Sequence, residues 1–122
     1  MKPHIEGTAF GSITVKGTVF KHDVIIRPDG QVKKRKKKLS RAVYGTSHTI
    51  SRQEARYTFK QAAGVRRLIV GSGQDGNVEL SPEAAAYLKQ RKCRVVLLPT
   101  PKVINVWNRT KGTAVGLFHV TC

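Results

Sequence analysis

Residues 51–120 alternate helix-capping signals with short apolar runs, and this alternation constrains the fold more than any other feature of the sequence. Predicted helices begin after Ser51, at Pro82 and at Pro101, and predicted strands cover residues 68–70, 94–98 and 113–120. Strands separated by helices pair in parallel, because the chain must cross back over the sheet before each new strand. The sequence therefore predicts an αβαβαβ unit, with helices packed on a mostly parallel sheet.

The predicted helix starts rest on capping patterns. Ser51 and Glu54 have the spacing of a capping box, in which the serine hydroxyl accepts from the N3 amide and the glutamate reaches back to the serine amide. Ser81 and Thr100 are predicted N-caps, because a proline follows each of them at the first helical position. The apolar face of the first helix is predicted to contain Ala55, Phe59, Ala62 and Ala63, with Gly64 ending it.

The first thirty residues have the pattern of β-hairpins. Residues 10–16 and 18–27 are rich in β-branched side chains, and Gly17 lies between them, which predicts two strands joined by a tight turn. Pro28, Asp29 and Gly30 predict a second turn, since proline fixes φ and glycine accepts a positive φ. We expect this N-terminal hairpin either to extend the central sheet or to form a small sheet of its own.

Length and composition limit the class of protein. A chain of 122 residues with 39% apolar residues predicts a single domain, 1–122, that folds alone. Its apolar runs are far shorter than the ~20 residues that cross a bilayer, and no apolar signal segment follows the N-terminus. With only two cysteines, we expect a protein of the reducing cytoplasm.

Positive charge dominates the chain, with 23 Lys and Arg against 7 Asp and Glu and a formal charge of +16. It concentrates in residues 33–41, called here the basic segment, whose cations are Lys33, Lys34, Arg35, Lys36, Lys37, Lys38 and Arg41. These side chains could bind the phosphates of nucleic acid. The segment could equally be an edge strand or exposed arm, whose lysines prevent sheets from associating edge to edge. Only Tyr44 lies nearby to stack on a base, so sequence-specific recognition is not predicted.

A glycine-rich loop follows the predicted strand at residues 68–70. Gly71, Gly73 and Gly76 match the G-x-G-x-x-G spacing that cradles phosphates in dinucleotide-binding proteins. That fingerprint opens directly into a helix and is followed ~20 residues later by an acidic residue on the ribose. Here residues 77–80 separate the loop from the next cap, and no acidic residue follows Glu83. A tight turn is therefore favoured over a nucleotide site.

Three residues could support thiol or metal chemistry. His119 and Cys122 lie close together at the C-terminus, and Cys93 lies between two cations that could lower its pKa if the thiol were exposed. Positions 119 and 122 point to opposite faces of a strand, and two ligands are fewer than the usual four of a zinc site. A buried thiol and a buried histidine are therefore favoured, and neither a metal nor a cofactor is predicted.

A spaced set of residues resembles one known family. The set is Phe10, Gly11, Ile13, Val15, Gly17, Asp23, Leu68, Gly71, Gly73, Gly76, Tyr87, Leu88, Thr100, Trp107, Asn108, His119, Thr121 and Cys122. It resembles a family of small domains of unknown function that includes the adipogenesis-associated domain protein and mitochondrial complex I assembly factor 3, together with prokaryotic relatives. The resemblance covers nearly the whole chain, and it implies a three-layer α/β domain around a central mixed sheet.

The resemblance also bears on function. It implies no catalytic activity; eukaryotic relatives act in assembly through protein partners, whereas prokaryotic members look cytosolic and have no assigned role. Polar residues at family positions that could line a shared pocket are Asp23, Gly71, Gly73, Thr100, Asn108 and His119. Two features depart from the family: the basic segment, and residues 101–103, where relatives usually carry an acidic residue and alanine.

Three functions therefore stand as hypotheses. The first is a non-enzymatic binding or assembly module that acts through a protein partner, with the oligomeric state open and a homo-oligomer allowed. The second is a nucleic-acid-associated protein that uses the basic segment. The third is a small-anion site or an enzyme at the strand-end loops, where Gly71 to Gly76 and the helix at Thr100 would supply amides, and Asn108 or His119 a side chain.

Overall fold

A computed structural model describes residues 2–60 and 64–122 of the chain. The strands of this part are β1 (Ile5–Ala9), β2 (Ser12–Val15), β3 (Thr18–Phe20), β4 (Val24–Ile26), β5 (Val32–Lys34), β6 (Thr49–Ile50), β7 (Arg67–Ser72), β8 (Glu79–Leu80), β9 (Arg94–Leu98) and β10 (Val115–His119). The helices are α1 (Lys38–Tyr44), α2 (Arg52–Lys60), α3 (Pro82–Gln90) and α4 (Thr100–Arg109). None of these helices is both long enough and apolar enough to cross a membrane.

A five-stranded mixed sheet in the order β5-β4-β10-β7-β9 is the centre of the fold. The strands β10, β7 and β9 pair in parallel, because helices connect them, whereas β4 and β5 are antiparallel and joined by a hairpin. Because β5 runs in the same direction as β10, the carboxyl ends of β5, β10, β7 and β9 meet at one end of the sheet. That end holds most of the polar residues that the sequence singled out.

Side chains alternate between the two faces of the sheet and create a core on each side. On β7, Leu68 and Val70 face the core beneath α2 and α3, whereas Ile69 faces the core beneath α4 and the N-terminal strands. Trp107 of α4 packs edge-on against Phe118 of β10, with ring centroids 5.6 Å apart. The predicted α/β fold with three layers and an N-terminal β-hairpin is confirmed.

The N-terminal strands form a separate antiparallel sheet in the order β1-β2-β3. Lys16 and Gly17 both have positive φ, 49° and 80°, which gives the two-residue turn that matches the right-handed twist of a hairpin. The strand predicted over residues 18–27 is in fact two strands, β3 and β4, which belong to different sheets. The chain changes sheets before β4, where Asp23 turns into the interior.

Two of the three predicted N-caps, Ser51 and Ser81, form in the structure, and the third, Thr100, does not. The Ser81 side chain accepts from the amide of Ala84, and the Ser51 hydroxyl accepts from the amide of Glu54. Thr100 does not cap α4, because Pro99 holds the N-cap position and the Thr100 side chain bonds β10 instead. The predicted contributions of Ala62 and Ala63 to the face of α2 lie outside the described residues.

Candidate functional site

The basic segment begins on an edge of the central sheet and ends in a short helix. Lys33 and Lys34 lie on β5, which pairs on one side only, with β4. The chain then leaves the sheet, and α1 begins at Lys38 and includes Arg41. The side chains of these residues and of Lys36 are exposed, and that of Lys37 is half-buried. The segment therefore combines both expected forms, an edge strand followed by an exposed helix.

Arg35 differs from the rest of the basic segment because its side chain is 0% exposed. Its guanidinium donates from Nε to Glu54 Oε2 over 2.6 Å and from Nη2 to Glu54 Oε1 over 3.0 Å, a two-point pairing with one carboxylate. Nη1 donates to Asp23 Oδ2 over 3.0 Å, and Nη2 also donates to the Ser47 carbonyl over 2.8 Å. Arg35 is therefore removed from the candidate phosphate contacts, since its donors are already used inside the protein.

Glu54 does not perform the capping role that its spacing suggests. Its carboxylate bonds Arg35 and the hydroxyl of Ser40, whereas the Ser51 amide donates to the Ser40 hydroxyl over 2.9 Å. Ser40 on α1 and Arg35 after β5 are thus both bound to α2. The chain between them, which carries three consecutive lysines, is fixed at both ends, and the Lys36 ammonium also lies 5.6 Å from the centre of the Tyr57 ring.

A histidine completes what we call the buried charge network, which consists of Asp23, Arg35, Glu54 and His119. His119 Nδ1 lies 2.7 Å from Asp23 Oδ2, and the Val120 amide donates to Asp23 Oδ1 over 2.9 Å. Burial alone would raise the pKa of Asp23, but the hydrogen bonds from His119 and Val120 and the charges of His119 and Arg35 lower it to about 2. Asp23 is therefore ionised at neutral pH.

The pKa of Arg35 is raised in the same network. Burial would lower it, but the hydrogen bond and charge of Glu54, followed by those of Asp23, outweigh that effect. One cation and two carboxylates are thus buried together, and their formal charges sum to −1. The other Lys, Arg, Asp and Glu residues therefore carry +17, whereas the whole chain carries +16. The surface is more positive than the composition alone indicates.

The surroundings of His119 have the order of groups found in a nucleophilic triad. Thr121 Oγ1 lies 3.0 Å from His119 Nε2, opposite the bond to Asp23. A triad also needs free backbone amides that stabilise an oxyanion. Here the amides of Gln74 and Asn77 donate to the carbonyls of Thr121 and Cys122, respectively. These two loop amides are therefore committed to the C-terminus, and their hydrogen bonds hold the chain end in place.

The glycine-rich loop is filled by protein. A Cβ atom at Gly73 would lie 2.5 Å from the Cys122 carbonyl carbon, and one at Gly71 would lie 2.7 Å from Thr100 Oγ1. The Thr100 hydroxyl donates to the His119 carbonyl over 2.7 Å and accepts from the Gly73 amide over 2.9 Å. The glycines thus allow close packing. At Gly73 the φ of +101° also requires glycine, because residues with a Cβ rarely adopt this backbone conformation.

The residues of the predicted pocket do not all meet. Gly71, Gly73, Thr100, His119 and Asp23 lie together at the carboxyl end of the sheet, and all five are buried. Asn108 instead lies on α4, where it exchanges two hydrogen bonds of 2.9 Å with the backbone of Ile5. Asn108 therefore ties β1 to α4 and is not part of that cluster.

The two cysteines are free thiols. Burial raises the pKa of Cys93, so its neighbouring cations do not activate it. Within residues 2–60 and 64–122, no three His, Cys, Asp or Glu side chains are arranged to hold a metal ion.

The basic segment surrounds a concavity of about 370 Å³. Its lining residues are Lys34, Arg35, Lys36, Lys37, Lys38 and Arg41. No acidic residue lies in the chain between Asp29 and Glu54, and Glu54 is buried. The carboxyl end of the sheet thus supports a concave, structurally fixed basic surface with no carboxylate among its described lining residues.

Fold and site together define a small mixed α/β protein with a fixed basic surface and a buried charge network. The chain belongs to the DUF498/DUF598 family of proteins of unknown function, whose model matches residues 5–117. No curated protein matches the chain.

Solved structures share the fold of this chain. A conserved hypothetical protein from Pyrococcus horikoshii OT3 is 30% identical over 100% of both chains, with a TM-score of 0.88. The protein MT938 is 27% identical over 99% of this chain and 100% of its own, with a TM-score of 0.83. A protein from Bordetella parapertussis, at 20% identity over 98% of this chain and 96% of its own, has a TM-score of 0.75 and shares the fold.

Proposed function

We propose that this protein is a nucleic-acid-associated protein that binds the phosphate backbone through the exposed cations of the basic segment. The observation that carries the proposal is the anchoring of the segment by Arg35 and Ser40, which holds the lysines between them on one concave surface. Lysines fixed in this way lose less conformational entropy on binding than lysines of a flexible tail. A segment that served only to protect a sheet edge would not need such an anchor.

Binding of this kind is independent of base sequence. Tyr44 is 39% exposed, but its hydroxyl donates to Glu83 Oε1, and the Tyr57 ring beside Lys36 is half-buried, so stacked bases are not the main source of affinity. Affinity should then come from neutralised phosphates and released counterions, so it should fall steeply as salt rises.

The test is a fourfold variant with Lys34, Lys36, Lys37 and Lys38, the lysines that line the concavity, changed to Gln, which leaves Arg35 intact. We expect its affinity for a fluorescent single-stranded RNA to fall at least tenfold, measured by anisotropy between 50 and 200 mM salt. The slope of log affinity against log salt should decrease in magnitude by about 2.8, since each lost phosphate contact on a single strand contributes about 0.7.

A matched control separates the basic segment from overall charge. The control changes four exposed lysines elsewhere, Lys21, Lys60, Lys89 and Lys102, to Gln and has the same net charge. An equal loss of affinity in both variants would refute the proposal, because the attraction would then be spread over the whole surface. Unchanged binding together with aggregation of the first variant would instead favour edge protection.

A protein-binding module is the second candidate, favoured by the outer face of the N-terminal sheet. Val19 is 55% exposed and pairs with Thr14 on that face, and Phe10 at the adjoining turn is 68% exposed. These uncharged side chains on so basic a protein are suited to a protein interface. The resemblance to a family whose eukaryotic members act in assembly also supports a protein partner.

The second candidate has its own test. Val19→Lys should abolish retention of a partner from nuclease-treated extract of the native host, because it replaces an exposed apolar side chain of that face with a charge. Lys21→Gln, an exposed substitution two residues away, should retain it. Retention of the same proteins by both variants would argue against this face.

A further inference from the structure

A second basic surface lies at the opposite end of the central sheet. It is a concavity of about 510 Å³ at the amino ends of β7 and β9, which we call the amino-end cleft. Its charged lining residues are Arg66, Arg67, Lys92, Arg94 and Lys111. In the described part of the chain, no carboxylate lines the cleft and none of the five cations forms a salt bridge.

The cleft brings like charges together in a way that folding alone does not favour. Arg67 and Arg94 are directly paired in the parallel register of β7 and β9, and like charges in that position destabilise a sheet. The pKa of Lys2 is lowered, first by burial and then by the positive charge of Arg67. Positive charges therefore lie close together at this end of the sheet, with no carboxylate among the described lining residues of the cleft.

Backbone geometry holds these cations in place. Arg66 Nη1 donates to the Arg91 carbonyl over 3.1 Å, and Arg67 Nη1 donates to the Lys111 carbonyl over 2.9 Å. Lys92 has φ +56° just after the end of α3, a position that usually favours glycine. A lysine therefore lines the cleft at a position where glycine would have the more favourable backbone conformation.

We infer that the amino-end cleft binds a phosphate-rich anion the size of a di- or triphosphate group. Several cations around one concavity need an anion with more than one negative charge, and guanidinium groups match phosphate oxygens in two-point hydrogen bonds. The volume lies within the range of small-ligand sites, about 300–1,000 Å³. The cleft is separate from the basic segment, because β5 and β9 are opposite edges of the sheet and lie about 19 Å apart.

The test is calorimetric titration with inorganic tripolyphosphate at about 50 mM salt, where such charge interactions are only partly screened. The protein with the four Lys→Gln changes in the basic segment is the background, so that failure of this inference and failure of the proposed function remain distinguishable. We expect one ligand per chain and at least tenfold weaker binding when Arg94→Gln is added. Lys102→Gln, an exposed α4 position outside the cleft, should leave the affinity unchanged.

Thermal unfolding gives a second readout that a purely structural arginine would not produce. Without tripolyphosphate, Arg94→Gln should keep or raise the Tm, because it removes a repulsive pair; with tripolyphosphate, the variant should lose most of the increase in Tm that the background protein shows. No binding by the background protein, or equal weakening by Lys102→Gln, would overturn the inference.

A competition experiment distinguishes a nucleic acid backbone from a free oligophosphate as the ligand of the cleft. A single-stranded RNA without terminal phosphates is added as a competitor to the background protein loaded with tripolyphosphate. Displacement would support the cleft as a site for the nucleic acid backbone, and retention would support it as a site for a free oligophosphate.

Discussion

Arg35→Met is expected to lower the free energy of unfolding by about 3–5 kcal/mol, the usual effect of removing one partner of a buried ion pair. Methionine can fill the space of the arginine side chain, but it leaves Asp23 and Glu54 buried without the guanidinium. Both carboxylates are within hydrogen-bonding distance of Arg35, and the Glu54 side chain is 0% exposed. Urea unfolding followed by the fluorescence of Trp107, the single tryptophan, measures the change.

Two further variants show whether the loss of charge at Arg35 causes the expected decrease in the free energy of unfolding. Lys34→Met, on the neighbouring exposed position of β5, should change the free energy of unfolding by no more than about 0.5 kcal/mol. Arg35→Met combined with Glu54→Gln should be more stable than Arg35→Met alone, because one of the uncompensated charges is then removed. A loss below about 1 kcal/mol in Arg35→Met would contradict the anchoring role of the network.

The second large effect is loss of stability in acid through Asp23. Its pKa is 3.8 in the unfolded chain and about 2 in the folded protein, so the unfolded state binds a proton more readily. The stabilisation is complete above about pH 4 and is lost as pH falls towards 2. It amounts to about 2 kcal/mol in total, of which about 1 kcal/mol is lost by pH 3.

Unfolding free energies of the unmodified protein and Asp23→Asn between pH 5 and pH 3 test this effect. The variant is less stable at pH 5, but its stability should fall by about 1 kcal/mol less over that interval, since residue 23 no longer titrates. Asp75→Asn, at an exposed carboxylate outside any ion pair of the described residues, should follow the pH dependence of the unmodified protein. Parallel curves for all three proteins would contradict the assigned pKa.

Local signals in the sequence predict much of the fold. The strand at residues 94–98 and the start of α3 after Ser81 agree with the structure residue for residue, because the signals that predict them lie within a few neighbouring residues. The break between β3 and β4 is not visible locally, since β-branched residues lie on both sides of it. Only the long-range pairing of β4 with β10 separates the two strands.

One ion pair of the site was within reach of sequence reasoning. The turn at Pro28 to Gly30 sets the register of β4 and β5, in which Val24 pairs with Lys34. Continuing that register by one residue places Asp23 opposite Arg35, and the Arg35 amide does donate to the Asp23 carbonyl over 3.1 Å. A turn position and an opposite charge would thus have distinguished Arg35 from its neighbours.

The rest of the site could not be found in this way. Glu54 reaches Arg35 only because α2 packs over that end of the sheet, and its capping-box spacing favours a local partner instead. The glycine-rich loop is a similar case. Its glycines match a phosphate-binding spacing, but their near neighbour is Cys122, about fifty residues further along the chain. Tertiary packing decides both cases.

Because Arg35 is buried, the basic segment is held in place by one residue and presents its positive surface with others. Its guanidinium holds the stretch in place from inside, so the exposed lysines beside it contribute little to folding. Their number and spacing can therefore change by single substitutions without loss of the fold, while Arg35, Asp23 and Glu54 must change together. We expect natural variation along this stretch to change the affinity for polyanions in small steps, while these three residues are kept or replaced as a set.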